Sequence, residues 1–370
     1  MALVIVMSVF NGMENLIRSL YNSFDPEIKI TPKEKTFLMT DSLHMLIQQT
    51  DGVFIITEVI EDNAVMSYKN ETDVIKIKGL SENFEAQHRM DSFVVAGNMK
   101  MNKQGRDFAI IGRGVQYKLS VPINNQFAPV QIFYPDKDKI KRPDAFDAFR
   151  IKSIQVGGVF AIEKQYDDNY IFVPLSFAKE LMNYDKERTS LELKVSEGYD
   201  IDDVRDRLRE RLGDTFSVLN SDEQHKVLLK AIKIEKLVVN VMLSFILAIS
   251  SVGIFFCLTM LTLNKRKDIA VLKAMGATKI FIRNLFMVEG MLIALTGASI
   301  GMLLGAALCY LQQHYRFVPI GTETSVIEEY LVELRATDLI WIGCTVICIS
   351  FAASIRPSII ASKLNLKKYL

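Results

Sequence analysis

No cysteine occurs ahead of Cys257. The long polar region before it therefore has no disulfide and must be held by its own core. The four cysteines, Cys257, Cys309, Cys344 and Cys348, all fall in apolar runs. Cys344 and Cys348 share a helix face, but no histidine or acid stands beside them, so they read as small packing residues rather than ligands. Histidine is scarce too. His44, His88, His225 and His314 are far apart and form no metal motif, so neither a metal nor another cofactor is expected. No G-x-x-x-x-G-K followed by Ser or Thr is present, which excludes ATP binding by a phosphate loop. A G-x-S-x-G nucleophile turn is also missing. The pair Asp167-Asp168, in YDDNY, reads as a solvated turn rather than a catalytic pair. No enzyme activity is expected of this chain. An excess of one charge is lacking as well: net charge is +1. No basic block interleaved with aromatics occurs in the polar region, so no nucleic-acid partner is expected.

What the chain does have is long apolar runs. Leu237 to Asn264, Gly290 to Leu311 and Leu339 to Ile355 carry no charged residue. A helix needs about 20 apolar residues to cross a bilayer, so these read as three membrane spans. Lys and Arg accumulate on the cytoplasmic side of short loops. Lys265, Arg266, Lys267, Lys273, Lys279 and Arg283 lie between the first two runs, against Asp268 alone. Arg356, Lys363, Lys367 and Lys368 follow the last run. The loop between the second and third runs carries Glu323, Glu328, Glu329, Glu333 and Asp338. The basic segments are thus cytoplasmic, and the acidic loop and polar domain lie outside.

A domain outside, after a cytoplasmic start, needs one more span ahead of it. Only Met1 to Met13 (MALVIVMSVFNGM) offers an uncharged run. As a helix it would cover about 20 Å of a hydrocarbon core of about 30 Å, and it lacks the basic flank of a signal peptide. It reads as the outer half of a first span whose inner half is missing here. Asn11-Gly12 would mark its outer end, and the native gene is expected to supply upstream residues. The alternative is an interfacial helix.

These readings divide the chain as follows. Residues 1–23 are the outer part of a first transmembrane helix. Residues 24–235 form an outside domain in which about 81–147 is an inserted subdomain. Spans cover 236–264, 285–313 and 338–356. A cytoplasmic segment covers 265–284, an outside loop 314–337 and a cytoplasmic tail 357–370. Within the domain, strands are expected over Gly52–Ile60, Ala64–Tyr68, Val74–Ile77, Arg150–Glu163, Tyr170–Val173, Ser190–Val195 and Thr215–Leu219. Helices are expected over Thr40–Gln49, Pro174–Met182 and Asp200–Leu212. The last puts Ile201, Val204, Leu208 and Leu212 on one face. From Asn220 or Ser221 a helix is expected to run unbroken through Lys236 to Asn264.

Two motifs stand out. Gly297, Gly301 and Gly305 recur every fourth residue, a spacing that lets helix backbones touch, either within the chain or across a dimer. The basic loop reads KRKDIAVLKAMGAT, from Lys265 to Thr278. It predicts a short helix lying along the membrane face, with Gly276 as a left-handed cap and Thr278 as the N-cap of the next helix. Ile269, Leu272 and Met275 would be free to dock. The simpler reading is a basic interfacial helix on anionic lipid.

KRKDIAVLKAMGATKIFIRNLFMVEG resembles the cytoplasmic coupling segment of FtsX-like ABC permeases, the MacB and lipoprotein-releasing group. The resemblance covers nearly the whole chain, through SVFNG, DPEIKI, the KGL at Lys78 to Leu80, FVPLSFAKELM at Phe172 to Met182, and Glu235-Lys-Leu. SVFNG followed by FDPEIKI is most similar to the Lol-type lipoprotein-releasing permeases of Gram-negative bacteria. The resemblance implies a membrane α-helical fold of four spans, the first truncated here, with an α+β periplasmic domain of porter-like and sabre-like subdomains. It implies a bacterial inner-membrane location. It implies a separate ABC ATPase coupled through Lys265, Arg266, Asp268, Ile269, Leu272, Met275 and Gly276, and a second permease copy or paralogue. The substrate would be a lipoprotein, passed to a periplasmic lipoprotein carrier and extracted by mechanotransmission. Its acyl chains would need apolar walls, for which Met7, Phe10, Met13, Val239, Met242 and Ile246 are candidates; the same residues could face other helices. An FtsX-like scaffold that regulates cell-wall hydrolases, or a MacB-like peptide or drug exporter, are the alternatives. The tail departs from the pattern, with Leu366 where many relatives carry Pro.

Overall fold

The computed structural model describes residues 1–103, 105–123, 129–136, 148–318 and 331–363. Along the chain these form α1 (Ala2–Phe24), β1 (Ile28–Pro32), β2 (Phe37–Leu38), α2 (Asp41–Gln48), β3 (Val53–Tyr68), β4 (Glu71–Leu80), β5 (Val94–Gly97), β6 (Asn102–Lys103), β7 (Arg106–Gly112), α3 (Arg113–Leu119), β8 (Val130–Pro135) and β9 (Phe149–Phe160). There follow α4 (Lys164–Asp167), β10 (Tyr170–Pro174), α5 (Leu175–Met182), β11 (Glu187–Arg188), β12 (Ser190–Val195), α6 (Ile201–Leu212), β13 (Phe216–Asn220) and α7 (Ser221–Gln224). The last elements are α8 (Lys226–Ser250), α9 (Val252–Asn264), α10 (Arg266–Ala274), α11 (Lys279–Tyr315) and α12 (Ala336–Ser362). The chain divides into two compact units. One is a domain whose described part is Ile17–Lys226. The other is helical and holds Met1–Leu16 with the described residues from Val227 onward.

The domain is built on an 11-stranded sheet whose main path runs β13-β1-β12-β3-β4-β10-β7-β9-β5. Alternation puts one face of these strands inward. Ile28 and Ile30 of β1 and Leu191 and Leu193 of β12 are buried with Val204, Leu208 and Leu212 of α6. A second core packs α3 and α5 over Ile60, Met66, Ile75, Ile77, Ile111 and Val173. A third is aromatic, with Phe24, Phe84, Phe160, Tyr166 and Phe172. Helix starts follow local chemistry. Thr40 Oγ1 accepts the Leu43 N–H, and Asp200 Oδ1 accepts those of Asp202 and Asp203, each satisfying free N–H groups of a first turn.

The structure differs from the sequence reading in three places here. The strands expected at Gly52–Ile60 and Ala64–Tyr68 are one strand, β3. Asp62 and Asn63 look like a turn, but each pairs in register with β4, and Asp62 is held by Tyr134 Oη at 2.8 Å and Lys35 Nζ at 2.7 Å. The region around 81–147 contributes β5, β7 and β8 to the same sheet, with 104, 124–128 and 137–147 outside the described residues. Asp167 is buried rather than solvated: its Oδ1 accepts the Ile162 N–H at 2.8 Å.

In the helical unit, four helical stretches are long and apolar enough to cross a membrane: Ala2–Tyr21, Lys226–Asn264, Lys279–Tyr315 and Ala336–Ser362. The first runs well past Asn11-Gly12, because Glu14 and Arg18 continue the helix although they end the uncharged run. The helix expected to run unbroken from Ser221 is interrupted at His225 and continues from Lys226 to Asn264, with a local irregularity at Ser251. An Asn220–Glu223 capping box opens α7, which ends at Gln224, where His225 leaves helical geometry with φ −110°. At Ser251 the hydroxyl bonds the Ala248 carbonyl at 2.6 Å, a local bond that competes with the helix ladder. At the packed end of the bundle, Gly290 lies against Ser354 and Leu258, where an added Cβ would come within 2.4 Å of Ser354 Oγ.

Candidate functional site

The basic turn is a short helix seated on the ends of longer ones. α10 begins at Arg266 directly after α9 and ends before Gly276, whose φ of +98° suits a residue without a Cβ. Thr278 Oγ1 accepts the Phe281 N–H at 3.2 Å and starts α11. Both caps are where the sequence puts them.

The residues expected to dock are not all exposed. Ile269 is only 3% exposed and packs with Ile282, Phe286 and Ala361. It anchors α10 to α11 and α12 and presents nothing outward, which corrects its expected place on the docking face. Leu272 is half-buried, Met275 is 78% exposed and Val271 is 55% exposed. The outward apolar residues are thus Val271 and Met275, framed by Lys265, Lys267 and Asp268. Lys265 Nζ and Asp268 Oδ2 form an exposed pair at 3.0 Å, which adds little stability. Arg266 is half-buried. Lys273 Nζ donates to the Ser362 carbonyl at 2.9 Å, and burial, then Lys279, lowers its pKa. The inward stripe was missed because Ile269, Leu272 and Met275 also fit a helical repeat; only the packing partners tell the two faces apart.

The glycine ladder is split. A Cβ on Gly305 would lie 3.0 Å from Val4 Cβ, and one on Gly301 would lie 3.2 Å from the Met1 nitrogen, so both face α1. Nothing lies within 4 Å of a Cβ on Gly297. The candidate wall residues are split too. Met7 is buried with Leu3, Val4 and Ile342 inside the bundle, so it does not face an open wall within this chain. Phe10, Met13 and Val239 are half-buried, while Met242 and Ile246 are exposed. The exposed pair lies on an apolar face of α8 with Val238, Val241 and Phe245. The sequence reading missed Asn11, Lys236 and Asp338, three polar residues brought together from the middle of α1, the middle of α8 and the first turn of α12. Their signal was there: two charges bounding apolar runs and an amide inside a third. Among the described residues no cluster of His, Cys, Asp and Glu could hold a metal.

Residues 1–211 match the MacB-like periplasmic core domain, and residues 240–366 match the FtsX-like permease C-terminal domain. The lipoprotein-releasing system transmembrane protein LolC of Buchnera aphidicola subsp. Schizaphis graminum is 24% identical over 355 residues, covering 96% of this chain and 86% of that protein. The lipoprotein-releasing system transmembrane protein LolE of Haemophilus influenzae is 21% identical, covering 98% of this chain and 89% of that one. The periplasmic region of MacB from Actinobacillus actinomycetemcomitans is a loose structural likeness, with a TM-score of 0.38 and 10% identity over 54% of this chain and 91% of that one. Four helices fit to span a membrane, a sheet domain between the first and second, and a match along nearly the whole length place this chain in the FtsX-like permease family, with a MacB-like periplasmic core domain.

Proposed function

We propose that this protein is the membrane subunit of an ABC system that extracts lipoproteins from the inner membrane, powered by a separate ATPase. The observation that carries the reading is the α10 turn. It offers exposed Val271 and Met275 among charged residues on a helix braced from behind by Ile269, in a chain with no phosphate loop of its own. The named relatives that cover it almost end to end support lipoprotein release over export. In this reading the ATPase seats α10, and ATP-driven closure moves it with α9, α11 and α12. A second permease, a copy or a paralogue, completes the complex. The lipid-anchored protein enters from the outer leaflet and leaves to a periplasmic carrier.

The test is purification with the native ATPase, reconstitution into proteoliposomes holding a triacylated lipoprotein, and measurement of ATP-dependent transfer to a soluble carrier. Steady ATP hydrolysis with no transfer, and copurification of a cell-wall hydrolase in place of lipoprotein, would sink the release reading in favour of a scaffold.

A further inference from the structure

Inside the helical unit, α1, α8 and α12 share a polar cluster. Asn11 is fully buried. Its Nδ2 donates to Asp338 Oδ2 at 2.6 Å, and its Oδ1 accepts from Lys236 Nζ at 2.6 Å. Lys236 Nζ lies 3.9 Å from Asp338 Oδ2. Ionisable groups at membrane depth are costly and mark working parts of membrane proteins.

The two joints in this cluster are unequal. α1 and the chain leading into α12 are bound many times over. The Ser8 carbonyl accepts the Glu333 N–H at 3.0 Å. Asn15 bonds both Glu333 and Arg335. A Cβ on Gly12 would fall 1.8 Å from the Leu331 carbonyl oxygen, so only glycine lets the two chains meet. α8 has few polar ties to this pair, although its Leu229 and Ile232 are buried. Among the described residues Lys236 supplies its polar bonds to this pair, and half-buried Leu243 and Leu247 rest on the apolar cluster below.

We propose that Lys236 is a releasable latch. It holds α8 against the fixed α1–α12 pair, and its release lets α8 swing from α1 and open an apolar slot for an acyl chain. This deepens the reading above and rests on it. The chemistry suits a latch. A lysine at the end of a span can extend its ammonium to interfacial water. Asn11 and Asp338 keep their mutual bond when it leaves, and the Asp338 side chain, 18% exposed, keeps access to water for its charge. The α1–α12 joint is tied at several further points, through Ser8, Gly12 and Asn15, so the loss of one bond does not part it.

The experiment uses the complex with its native ATPase and the four native cysteines replaced by alanine. Asn11→Cys and Lys236→Cys are joined by a short, reducible bis-thiosulfonate linker. Linked complex is expected to keep hydrolysing ATP while lipoprotein transfer falls at least tenfold, with recovery on reduction. Transfer at the unlinked rate, or failure of the linker to join the pair, overturns the latch. Should the cysteine pair itself stop transfer, Val239→Cys decides. Its reaction with a membrane-impermeant maleimide is expected to quicken at least fivefold with ATP, and to run at the fast rate without ATP in Lys236→Met. One rate under all conditions overturns the proposal. If the cysteine-free parent hydrolyses ATP but transfers nothing, the release reading fails, and the maleimide rates still judge the latch.

Discussion

Glu192 shows how much chemistry a single strand position can hide. It is wholly buried, with Lys78 Nζ 2.6 Å from one oxygen and Arg89 Nη2 2.8 Å from the other. Burial alone would raise its pKa, but Lys78 and Arg89 outweigh it and hold the carboxyl down to about 2. The Lys78 ammonium also lies 4.7 Å from the centre of the Phe24 ring. A folded pKa below the unfolded value stabilises above the unfolded pKa, and that stability is lost as pH falls from about 4.5 towards 2. Lys78→Met is expected to destabilise the domain by about 3–5 kcal/mol, because Glu192 then keeps one cation for a buried charge. Lys78→Met with Glu192→Leu should recover part of that, read as the shift in thermal unfolding of the whole chain. Additive losses would refute the pairing. Asp167 is the opposite case. Burial, against the Ile162 and Glu163 N–H bonds, pushes its carboxyl up to about 7. A raised pKa gives stability that is full below the unfolded value of 3.8 and is lost as pH rises through about 7. Asp167→Asn should therefore raise the unfolding temperature at pH 8.5, by about 1–3 kcal/mol of stability, and by clearly less at pH 5, where the folded carboxyl is still protonated. An equal effect at both pH values would exclude the assignment. Neither residue was legible in the sequence. Lys78 alternates with Lys76 as a solvent face would, and its partner arrives from β12, far along the chain.

At the scale of single elements, α10 separates an inward face anchored by Ile269 from an outward face with Val271 and Met275. Met275→Asp is expected to lower ATPase association at least tenfold and leave the unfolding temperature of the isolated permease unchanged. Ile269→Asp should instead destabilise the permease itself, since the new carboxylate would sit among Ile282, Phe286 and Ala361, with no partner to offset its desolvation. Binding titration and thermal unfolding of the two variants separate these outcomes; loss of association without loss of stability in Ile269→Asp would return that residue to the docking face. Caps and amphipathic faces were legible because they depend on neighbours in sequence. Thr40, Asp200, Asn220, Gly276 and Thr278 all act within a turn of themselves. The break at His225 and the irregularity at Ser251 were not, because both residues are tolerated in helices. His225 is drawn off by Asp25, whose Oδ2 lies 2.6 Å from Nε2.

At the scale of the whole molecule, the signs of the loops and the placement of the apolar runs carry a topology that can be read with thiols. In a cysteine-free background, Tyr117→Cys replaces a residue 88% exposed on the domain, and Met275→Cys one 78% exposed on α10. An impermeant maleimide added to intact spheroplasts should label the first at once and the second only after permeabilisation. Labelling of both, or of Met275→Cys alone, would invert the orientation. The four-helix, one-domain plan was largely legible, since long uncharged runs and basic loops are properties of sequence alone. The order of the sheet was not. Its neighbours β12 and β3, or β10 and β4, are set by which faces find partners, and parallel pairing such as Tyr170 with Lys76 leaves no local mark.

β3 also has a mechanical reading. Its 16 residues span about 50 Å. One half is bonded to β12 and the other to β4, with β8 joining near the far end. A pull along its axis loads all those bonds in shear together, whereas a pull across it would peel them one by one. The strand is then a tie-rod, stiff lengthwise and weak sideways. Drawn from its ends in a force spectrometer, the domain should yield at several times the force needed when it is pulled at right angles to β3. Equal yield forces in the two directions would show that the load is carried elsewhere.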